Sequence, residues 1–264
     1  MSQSWNEDDF FVTRFESWES NANYWAKFVD ECTLRGAIFN SIISFIRATS
    51  NRDNYPPSIL DLGCGEGAFL RSFYYEFPSA KLVGLDLCNN MIESATARSY
   101  SIPISFVRGN FEAPNIVIHE KFDVVTALLS FIEASELAIP FHNLASSLKP
   151  MGTGIVAILD PMNEIYRYFQ ERREDKKLLT SNNNFLISAH FNSSNGYSPK
   201  PYFRFVRPLD EYLHAAFECG LQLDYAIPVI DISMKHIGKL APRVVVLYFS
   251  LVDHSPSHIY RHQN

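Results

Sequence analysis

The sequence predicts a doubly wound α/β fold built on a mostly parallel sheet of seven strands. Three observations support this fold class. Short β-branched runs alternate with helix-length segments from residue 58 onward, a glycine-rich turn follows the first of these runs, and no apolar run approaches the ~18 residues of a membrane helix. Alternation of this kind is typical of stacked strand-helix-strand units around a parallel sheet. We also expect helices before the sheet and a lid inserted late in it.

Composition and charge limit the classes of protein that the chain can represent. Its 264 residues allow one elaborated domain or two small ones, and 47% hydrophobic with 20% charged residues is ordinary globular usage. The 23 Lys and Arg residues are outnumbered by 29 Asp and Glu residues, so the formal net charge is -6. Because that sign is unfavourable for binding phosphates, we expect no nucleic-acid partner.

The N-terminus and the cysteines indicate a cytoplasmic protein. The first ten residues contain acids where a secretory signal has a basic segment and an apolar run. The four cysteines are scattered without a C-x-x-C pair, so neither a disulfide framework nor a cysteine zinc site is indicated. We expect a monomer or homodimer with no membrane partner and no metal.

The first predicted element is a helical segment over residues 1–57. From Asn21 to Arg47 apolar side chains recur at helical spacing, and Gly36 predicts a break between two helices. Pro56 and Pro57 end the segment because proline stops a helix and favours extended backbone before it. A domain boundary is therefore predicted at this point.

An α/β core is predicted in two pieces, residues 58–160 and 208–264. Strands are predicted where short β-branched runs lie between longer segments: Ile59–Leu62, Leu82–Leu85, Ile104–Val107, Phe122–Leu129, Ile155–Leu159, Leu221–Ile227 and Val244–Leu251. Helices are predicted from Glu66, from Asn89, around Leu137–Leu148 and over Leu209–Cys219.

Residues 161–207 interrupt this core and are predicted to form a substrate lid. The alternating pattern gives way to charge between Glu171 and Lys177, to Asn/Ser stretches, and to aromatic residues between Tyr197 and Phe205. A long insertion in an α/β domain is usually functional when it carries this many aromatic side chains. We expect it to roof a pocket for an apolar or aromatic ligand.

Three of the 11 glycines lie together directly after the first strand, in Asp61-Leu62-Gly63-Cys64-Gly65-Glu66-Gly67. Glycine is required where a backbone turns tightly and approaches a ligand, and the helix start behind the turn offers free N–H donors. The turn therefore predicts a nucleotide or nucleoside site. Its spacing leaves two kinds of ligand open, because Gly63, Gly65 and Ala68 also satisfy the dinucleotide fingerprint. Asp86 suits a ribose-binding acid in either case.

The same segment resembles motif I of the class I S-adenosylmethionine-dependent methyltransferases, an acid and any residue followed by G-x-G-x-G. Further segments resemble later motifs of the family in the same order: Val83–Asp86, Arg108–Phe111, Phe122–Val125, Leu148–Gly152 and Phe205–Leu221. The resemblance spans residues 58–251 and implies a Rossmann-like sheet. Asn110 stands where the family commonly has Asp, and Met151 replaces the first glycine of an L-K-P-G-G turn.

The resemblance implies S-adenosylmethionine as cofactor and assigns its contacts. Asp86 would accept hydrogen bonds from both ribose hydroxyls, and Leu87 and Phe111 would flank the adenine. Asn110 would bind the adenine amino group through its amide oxygen, and Asp61 would orient the methionine ammonium through water. The expected cofactor-binding residues are Asp61, Gly63, Cys64, Gly65, Gly67, Asp86, Leu87, Asn110, Phe111 and Leu128.

Methyl transfer from a sulfonium depends on alignment and desolvation, so a base is needed only when the attacking atom holds a proton. The candidate catalytic residues are Asp160, at the end of the predicted fifth strand, and His190, in the lid. Each has an alternative, because Asp160 can cap a helix that begins at Pro161 and His190 can be a solvated loop residue. The candidate substrate-binding residues are Tyr24, Trp25, Phe131 and His236.

We therefore predict an S-adenosylmethionine-dependent methyltransferase that acts on an O or N atom of a small molecule. Methylation of RNA or protein is disfavoured by the net charge and by the sequence after the fourth strand, which reads Leu128-Leu129-Ser130-Phe131 instead of an Asn-Pro-Pro-Tyr-type motif. Two alternatives stay open: a dinucleotide-dependent oxidoreductase, and a non-catalytic cofactor-binding protein of the same fold, since a fold does not determine a function.

Overall fold

The computed structural model describes residues 7–49, 56–171, 177–181, 184–190, 192–193, 196–230 and 242–252. Its helices are α1 (Glu7–Glu31), α2 (Thr33–Thr49), α3 (Ala68–Glu76), α4 (Asn89–Arg98), α5 (Ala138–Ser146), α6 (Pro161–Glu171) and α7 (Leu209–Glu218), with a short 3-10 helix over Phe131–Glu133. Its strands are β1 (Ile59–Leu62), β2 (Leu82–Asp86), β3 (Ile104–Arg108), β4 (Phe122–Leu128), β5 (Leu148–Leu159), β6 (Lys177–Ser181), β7 (Asn184–Ala189), β8 (Asn192–Ser193), β9 (Gly196–Tyr197), β10 (Tyr202–Val206), β11 (Leu221–Val229) and β12 (Val244–Leu251).

Seven of these strands form one sheet in the order β11-β12-β5-β4-β1-β2-β3. Strands β1 to β5 pair in parallel, while β12 runs antiparallel to both β5 and β11. The predicted α/β fold class, with a mostly parallel seven-stranded sheet, is confirmed. All four residues of β1 are buried, as expected of a central strand covered by helices on both faces.

Two apolar layers cover the sheet. Ile42 of α2 and Phe73 of α3 are completely buried in the layer on one face. Phe141 of α5 and Tyr212 of α7 are almost completely buried in the layer on the other. Because both layers are closely packed, the carboxyl ends of the central strands form a fixed rim.

The strand order reverses between β1 and β4. Strands β2 and β3 lie on one side of β1, and β4 and β5 lie on the other. At such a reversal the connections leave the sheet in opposite directions and open a crevice at the carboxyl ends of the strands, where α/β proteins bind ligands. The glycine turn after β1 lies at this crevice, so the fold places the predicted site there.

The break between the N-terminal helices lies at Cys32, not at the predicted Gly36. Gly36 lies inside α2 at an exposed position, where a Cβ would meet no atom within 4 Å. The buried face of α2 continues across it from Leu34 to Ile38. A glycine at an exposed helix position costs only about 1 kcal/mol relative to alanine, so apolar packing outweighs it.

Strand β5 begins at Leu148 instead of the predicted Ile155, and it includes the segment that resembles an L-K-P-G-G turn. Met151 in this segment has a φ of 63°, and its side chain is 98% exposed. Positive φ values favour glycine because a Cβ then meets the backbone. The conformation explains why the family has glycine here, and solvent accommodates the methionine side chain.

Helix α6 and a three-stranded antiparallel sheet, in the order β10-β7-β6, make up most of the described part of residues 161–207. Strand β10 returns the chain to the core with Phe203 to Val206 buried. A small layer of Leu186, Phe203 and Phe205 packs inside this sheet. The described part of the segment that the sequence analysis assigned to a lid therefore forms a layer beside the crevice, here called the lid layer.

Helix α1 joins the core to this layer. The Glu19 carboxylate accepts hydrogen bonds from the backbone N–H groups of Asn89, at 2.7 Å, and Asn90, at 3.1 Å, which begin α4. The Asn21 amide accepts a bond from the Lys200 N–H at 3.1 Å and donates to the Lys200 carbonyl at 2.8 Å. Two residues only two positions apart on one helix, Glu19 and Asn21, therefore hold the core and the lid layer.

Within the described ranges, no helix is long and apolar enough to cross a bilayer. The four cysteines, Cys32, Cys64, Cys88 and Cys219, are free thiols. Burial raises the pKa of Cys64 well above its usual value and that of Cys88 to about 12. Both thiols are therefore unreactive at neutral pH.

We predict that Glu19→Ala lowers the free energy of unfolding by about 1 kcal/mol. The N-cap residue of α4, Cys88, makes no side-chain cap, so Glu19 supplies the carboxylate that the positive end of α4 favours. Chemical denaturation measures the loss, and amide hydrogen exchange should accelerate in α1 and in the first turn of α4. Glu120→Ala is the control, because Glu120 forms an exposed pair with Lys81. Equal effects of the two variants would contradict the capping role.

Candidate active site

A cavity of about 350 Å³ lies at the carboxyl ends of β1 and β4. The glycine turn after β1, the acid at the end of β2, the segment after β3 and the turn after β4 form its floor. Helices α1 and α2 form one wall, and the lid layer contributes His190, Tyr202 and Arg204. This volume is typical of small-ligand sites. Core and lid residues that are far apart in sequence therefore share one cavity.

Two glycines of the turn line the cavity and the third begins a helix. Gly63 and Gly65 have φ values of 75° and 54°. A Cβ on Gly63 would lie 2.5 Å from the Ser130 Cβ, so the close packing of the two turns requires glycine. Gly67 does not line the cavity, and a Cβ there would lie 2.7 Å from the Phe106 ring. Gly67 is therefore needed for close packing at the start of α3 and does not make the predicted cofactor contact.

The Asp86 carboxylate is fixed at the end of β2 by two backbone donors. The Gly65 N–H donates to Oδ2 at 2.8 Å and the Cys88 N–H donates to Oδ1 at 2.9 Å. Burial nevertheless raises the pKa of Asp86 to about 6. Each oxygen keeps a lone pair, so the group can accept two further hydrogen bonds from a diol in the cavity.

Asp61, the acid that leads the glycine turn, is 2% exposed and lines the cavity. The Thr126 hydroxyl donates a hydrogen bond to its Oδ1 at 2.6 Å. Burial, together with the charge of Asp86, raises the pKa of Asp61 to about 7, although the Thr126 hydrogen bond opposes the rise. A ligand cation beside this carboxylate would reverse the shift, so the position favours a positively charged group.

Leu87, Asn110 and Phe111 line the cavity beside Asp86, as a flat apolar slot requires. The Asn110 Oδ1 accepts a hydrogen bond from the Glu112 N–H at 2.9 Å, which fixes the orientation of the amide. Its NH2 group makes no bond with the described residues. The amide NH2 is therefore the group available to an adenine ring, in place of the oxygen that the sequence analysis assigned.

The turn after β4 is strained where it enters the cavity. Leu129 has a φ of 60°, which is unusual for a branched side chain. Ser130 follows and donates a hydrogen bond from its hydroxyl to the Leu62 carbonyl at 2.7 Å. Leu128 and Leu129 both line the cavity. Backbone strain of this kind occurs at functional sites, and here it directs the short helix Phe131–Glu133 across the crevice.

Glu133 is a cavity residue that sequence reasoning missed. Its carboxylate accepts a hydrogen bond from the indole N–H of Trp18, and its backbone carbonyl accepts one from Arg14. Burial raises its pKa to about 8, although the charge of Arg14 opposes the shift. An acid in the turn after β4 was the one signal that the sequence offered, since ligands bind beyond the carboxyl ends of strands.

Arg35 of α2 is a second cavity residue that sequence reasoning missed. Its guanidinium lies over the Trp25 ring, 4.0 Å from the centroid. Burial lowers its pKa to about 10, so it stays charged at neutral pH. The guanidinium makes no hydrogen bond or ion pair with the described residues, and the carboxylates of Asp61 and Glu66 lie within electrostatic range. It is a charged donor set beside the glycine turn.

The lid side of the cavity carries Tyr202, Arg204 and His190. Arg204 forms a buried ion pair with Glu164 of α6 and donates to the Tyr202 hydroxyl. The His190 Nδ1 lies 2.8 Å from the Ser198 carbonyl oxygen, so Nδ1 carries the proton and donates. Its Nε2 is then the ring nitrogen with a free lone pair.

Two predicted site residues, Asp160 and Phe131, do not reach the cavity. The Asn163 N–H donates to Asp160 Oδ1 at 2.8 Å, so the carboxylate caps α6, which is the alternative that the sequence left open. Phe131 is completely buried and packs between Phe111 and Phe141, with ring centroids 5.5 and 5.2 Å away. It supports the slot from the core instead of contacting a ligand.

Trp25 lines the cavity, but its neighbour Tyr24 does not. Adjacent residues on a helix point in directions about 100° apart, so only one of the two faces the crevice. His236, the remaining predicted substrate residue, lies outside the described residues. Within the described ranges no group of three or more His, Cys, Asp or Glu side chains is arranged to hold a metal ion.

The residues present fit S-adenosylmethionine, the cofactor that the resemblance implies. Asp86 offers acceptors for a ribose diol, and Leu87 and Phe111 offer a slot for a base. At the other end of the turn, Asp61 and Arg35 offer one anion and one cation, as an amino acid zwitterion requires. Gly63 and Gly65 of the glycine turn line the cavity without a side chain, so a ligand that joins a nucleoside to an amino acid can approach the backbone there.

Comparison with known proteins supports this interpretation. A family model described as a methyltransferase domain matches residues 59–152, which include the glycine turn and Asp86. The chain is 31% identical over 123 residues to the malonyl-[acyl-carrier protein] O-methyltransferase of Halalkalibacterium halodurans, covering 44% of each chain. It is 36% identical over 109 residues to the dTDP-4-amino-2,3,4,6-tetradeoxy-D-glucose N,N-dimethyltransferase of Saccharopolyspora spinosa, covering 39% of this chain and 40% of that protein.

The alignments cover no more than half the length of the curated relatives. The fold extends further. An S-adenosylmethionine-dependent methyltransferase from Clostridium acetobutylicum superposes with a TM-score of 0.61 at 16% identity, over 88% of this chain and 99% of that one. The glycine turn is thus assigned to a methyltransferase domain, and the dinucleotide alternative is not retained. Residues 59–152 match a methyltransferase domain, and the chain has the fold of the class I S-adenosylmethionine-dependent methyltransferases.

Proposed function

We propose that this chain transfers the methyl group of S-adenosylmethionine to an O or N atom of a small molecule. The observation that carries the proposal is that residues suited to the cofactor, Asp61, Gly65 and Asp86, line the same cavity as His190 and Tyr202 of the lid layer. A donor at the glycine turn would then lie beside an acceptor under the lid, and such alignment is the main requirement of the reaction.

The cofactor, when bound, supplies a methyl group on a positively charged sulfur that departs as a neutral thioether. The residues of this chain hold the reactants and exclude water. Trp18 and Trp25 meet edge to face with ring centroids 5.1 Å apart, and Tyr202 lies 6.5 Å from Trp18. This aromatic wall keeps the reacting atoms out of bulk solvent, which strengthens the electrostatic interactions inside the cavity.

The relatives support an acceptor with an oxygen or a nitrogen nucleophile. One is an O-methyltransferase of malonyl-[acyl-carrier protein] and another is an N,N-dimethyltransferase of a dTDP-linked amino sugar. For a hydroxyl acceptor in this chain, the Nε2 of His190 is the proposed proton acceptor, because the Ser198 carbonyl holds the proton on Nδ1. Asp160 is not proposed for this role, since its carboxylate caps α6.

Calorimetric titration with S-adenosylhomocysteine tests the cofactor assignment directly. We expect binding in the micromolar range or tighter, and we expect Asp86→Asn to weaken it about tenfold or more, because an amide cannot accept from two hydroxyls as well as two N–H groups. Asp210→Asn, at an exposed position on α7, is the matched control. No binding by the unmodified chain would reject the proposed function.

We further propose that Arg35 binds the carboxylate of the cofactor's methionine. Arg35→Gln should lower the affinity for S-adenosylhomocysteine about tenfold to a hundredfold, as expected when a charge-assisted hydrogen bond is lost. It should leave the affinity for 5′-methylthioadenosine, which lacks the amino acid group, within about twofold. Arg47→Gln, on the exposed side of the same helix, is the control. Equal losses for the two ligands would show that Arg35 does not contact the carboxylate.

In the ligand-free chain, Asp61→Asn should raise the free energy of unfolding at pH 8 but not at pH 4. The pKa of Asp61 rises from 3.8 to about 7 on folding, so the native carboxyl holds its proton more strongly than the unfolded chain does. Stability is therefore lost as pH rises between these two values, and a neutral amide avoids the loss. Thermal unfolding at both pH values measures the difference.

The same substitution should lower the affinity for S-adenosylhomocysteine. It should also remove the part of the pH dependence of this affinity that is centred near pH 7. In the unmodified chain, affinity should increase with pH up to that point, because Asp61 must lose its proton to face an ammonium. Destabilisation by Asp61→Asn at pH 8 would contradict the assigned burial cost.

A further inference from the structure

One end of the cavity contains a carboxyl group, that of Glu133, which takes no part in the proposed cofactor contacts. Trp18, Tyr202 and Glu133 meet there, together with the aliphatic side chains of Leu129 and Ile132. The Glu133 Oε2 accepts the Trp18 indole N–H, whereas Oε1 has no hydrogen-bond partner among the described residues. The wall is therefore apolar and aromatic except for one carboxylate oxygen that is free to bind a ligand.

The other carboxylates of the cavity already have partners. Glu112 pairs with Arg14 and Glu164 pairs with Arg204. Glu66 pairs with Arg71 and Arg98. Glu133 also lines the cavity, but it forms no ion pair with the described residues.

The two aspartates of the cavity belong to the cofactor end. Asp61 leads the glycine turn, and Asp86 is held by backbone N–H groups beside the adenine slot. The proposed function assigns them to the methionine ammonium and to the ribose. Among the described cavity residues, Glu133 is thus the carboxylate that has neither an arginine partner nor a proposed cofactor contact.

We infer that the methyl acceptor is a cationic amine, bound through its ammonium by the Glu133 carboxylate against the Trp18 and Tyr202 rings. This inference rests on the proposed function and specifies its acceptor. A carboxylate attracts an ammonium, and the Trp18 ring adds cation–π attraction in a desolvated site. Tyr202 contributes aromatic contact beside it, since the Arg204 guanidinium already lies over that ring, 5.1 Å from its centroid. The neighbouring aliphatic wall accommodates the apolar part of such an amine.

Arg14 and Arg204, the arginines nearest Glu133 and Tyr202, already have partners, and Arg243 lies at the start of β12, beside the end of β5. Arg14 donates to the Glu112 carboxylate and to the Glu133 carbonyl, and Arg204 donates to Glu164 and to Tyr202. Arg35 lies over Trp25 at the glycine turn, where the cofactor's carboxylate is proposed to bind. An anionic acceptor would keep the Glu133 carboxyl protonated and would gain no ionic attraction from it.

Proton transfer follows from the same contact. An ammonium has no lone pair, so one N–H proton must leave before the nitrogen can react. The proton passes to the Glu133 carboxylate, and the nitrogen lone pair then forms the new N–C bond while the C–S bond of the cofactor breaks, its electron pair staying on sulfur. The product is the methylated ammonium, and Glu133 releases its proton to solvent for the next turnover.

The titration of Glu133 suits this role. Burial raises its pKa to about 8, with Asp86 and Glu112 adding to the rise and Arg14 opposing it; Arg35 of α2 also faces it. A pKa near that of an amine makes the proton transfer easily reversible. It also means that the carboxyl is largely protonated at pH 7, so an ammonium that binds there should displace a proton.

The test compares three ligands with one carbon skeleton: 2-phenylethylamine, 2-phenylethanol and phenylacetate. Each is titrated by calorimetry at pH 7 into the chain saturated with S-adenosylhomocysteine. We expect the amine to bind at least about tenfold more tightly than the other two. Repeating the amine titration in buffers of different ionisation enthalpy should show the release of close to one proton per amine bound.

Variants separate the role of Glu133 from a general structural role. Glu133→Gln should remove both the preference for the amine and the proton release while leaving the affinity for S-adenosylhomocysteine within about twofold. Glu133→Asp keeps a carboxylate and should retain part of the preference. Glu136→Gln, an exposed residue of the same turn, should behave like the unmodified chain.

The outcomes are distinguishable. Failure of the unmodified chain to bind S-adenosylhomocysteine would reject the proposed function. Normal binding of that ligand with an amine that binds no better than its alcohol or acid, or not at all, would overturn the inference alone. An unchanged amine preference in Glu133→Gln would overturn it as well.

Discussion

The hydrogen bonds of the Asp86 carboxylate are the interaction on which the rest of the site depends. They tie the glycine turn after β1 to the start of α4, so one side chain at the end of β2 fixes the backbone on both sides of the slot that Leu87 and Phe111 line. Gly63 can then approach Ser130 closely, which places the turn after β4 against the turn after β1. A buried carboxylate is costly unless it is hydrogen-bonded, and here its bonds leave it available to a sugar.

The two apolar layers stabilise the fold enough for it to tolerate energetically unfavourable features in the crevice. Leu129 has a positive φ, and burial disfavours the charged forms of Asp61, Glu133 and Arg35. Such costs are concentrated where ligands bind, because a charged or strained group is most useful where a ligand can relieve it. Helix α1 encloses these groups by holding both α4 and the lid layer, so cofactor and acceptor ends share one wall.

The positions of the sheet strands along the chain and the glycine turn follow from local patterns in the sequence. The period of apolar residues determines whether a segment is a strand or a helix, and a positive φ beside a close packing contact restricts Gly63 to glycine. Asp86 was predictable for the same reason, since the end of the second strand lies beside the glycine turn in any sheet of this order. Where local signals were weak, as at Gly36, packing of the apolar face decided the outcome.

The acceptor end was decided by tertiary structure alone. Arg14 reaches the Glu133 carbonyl across 119 residues of sequence, and Ser17 reaches the Pro201 carbonyl across 184. No local period encodes such contacts, so no pattern marked Arg35, and Glu133 was marked only by its position after β4. Asp160 and Phe131 had positions that suggested a place in the cavity, which they do not line. Sequence by itself determined which elements form and where the sheet opens. Which side chains face the opening depends on how helices and loops pack over it, because that packing is set by the summed burial of distant surfaces.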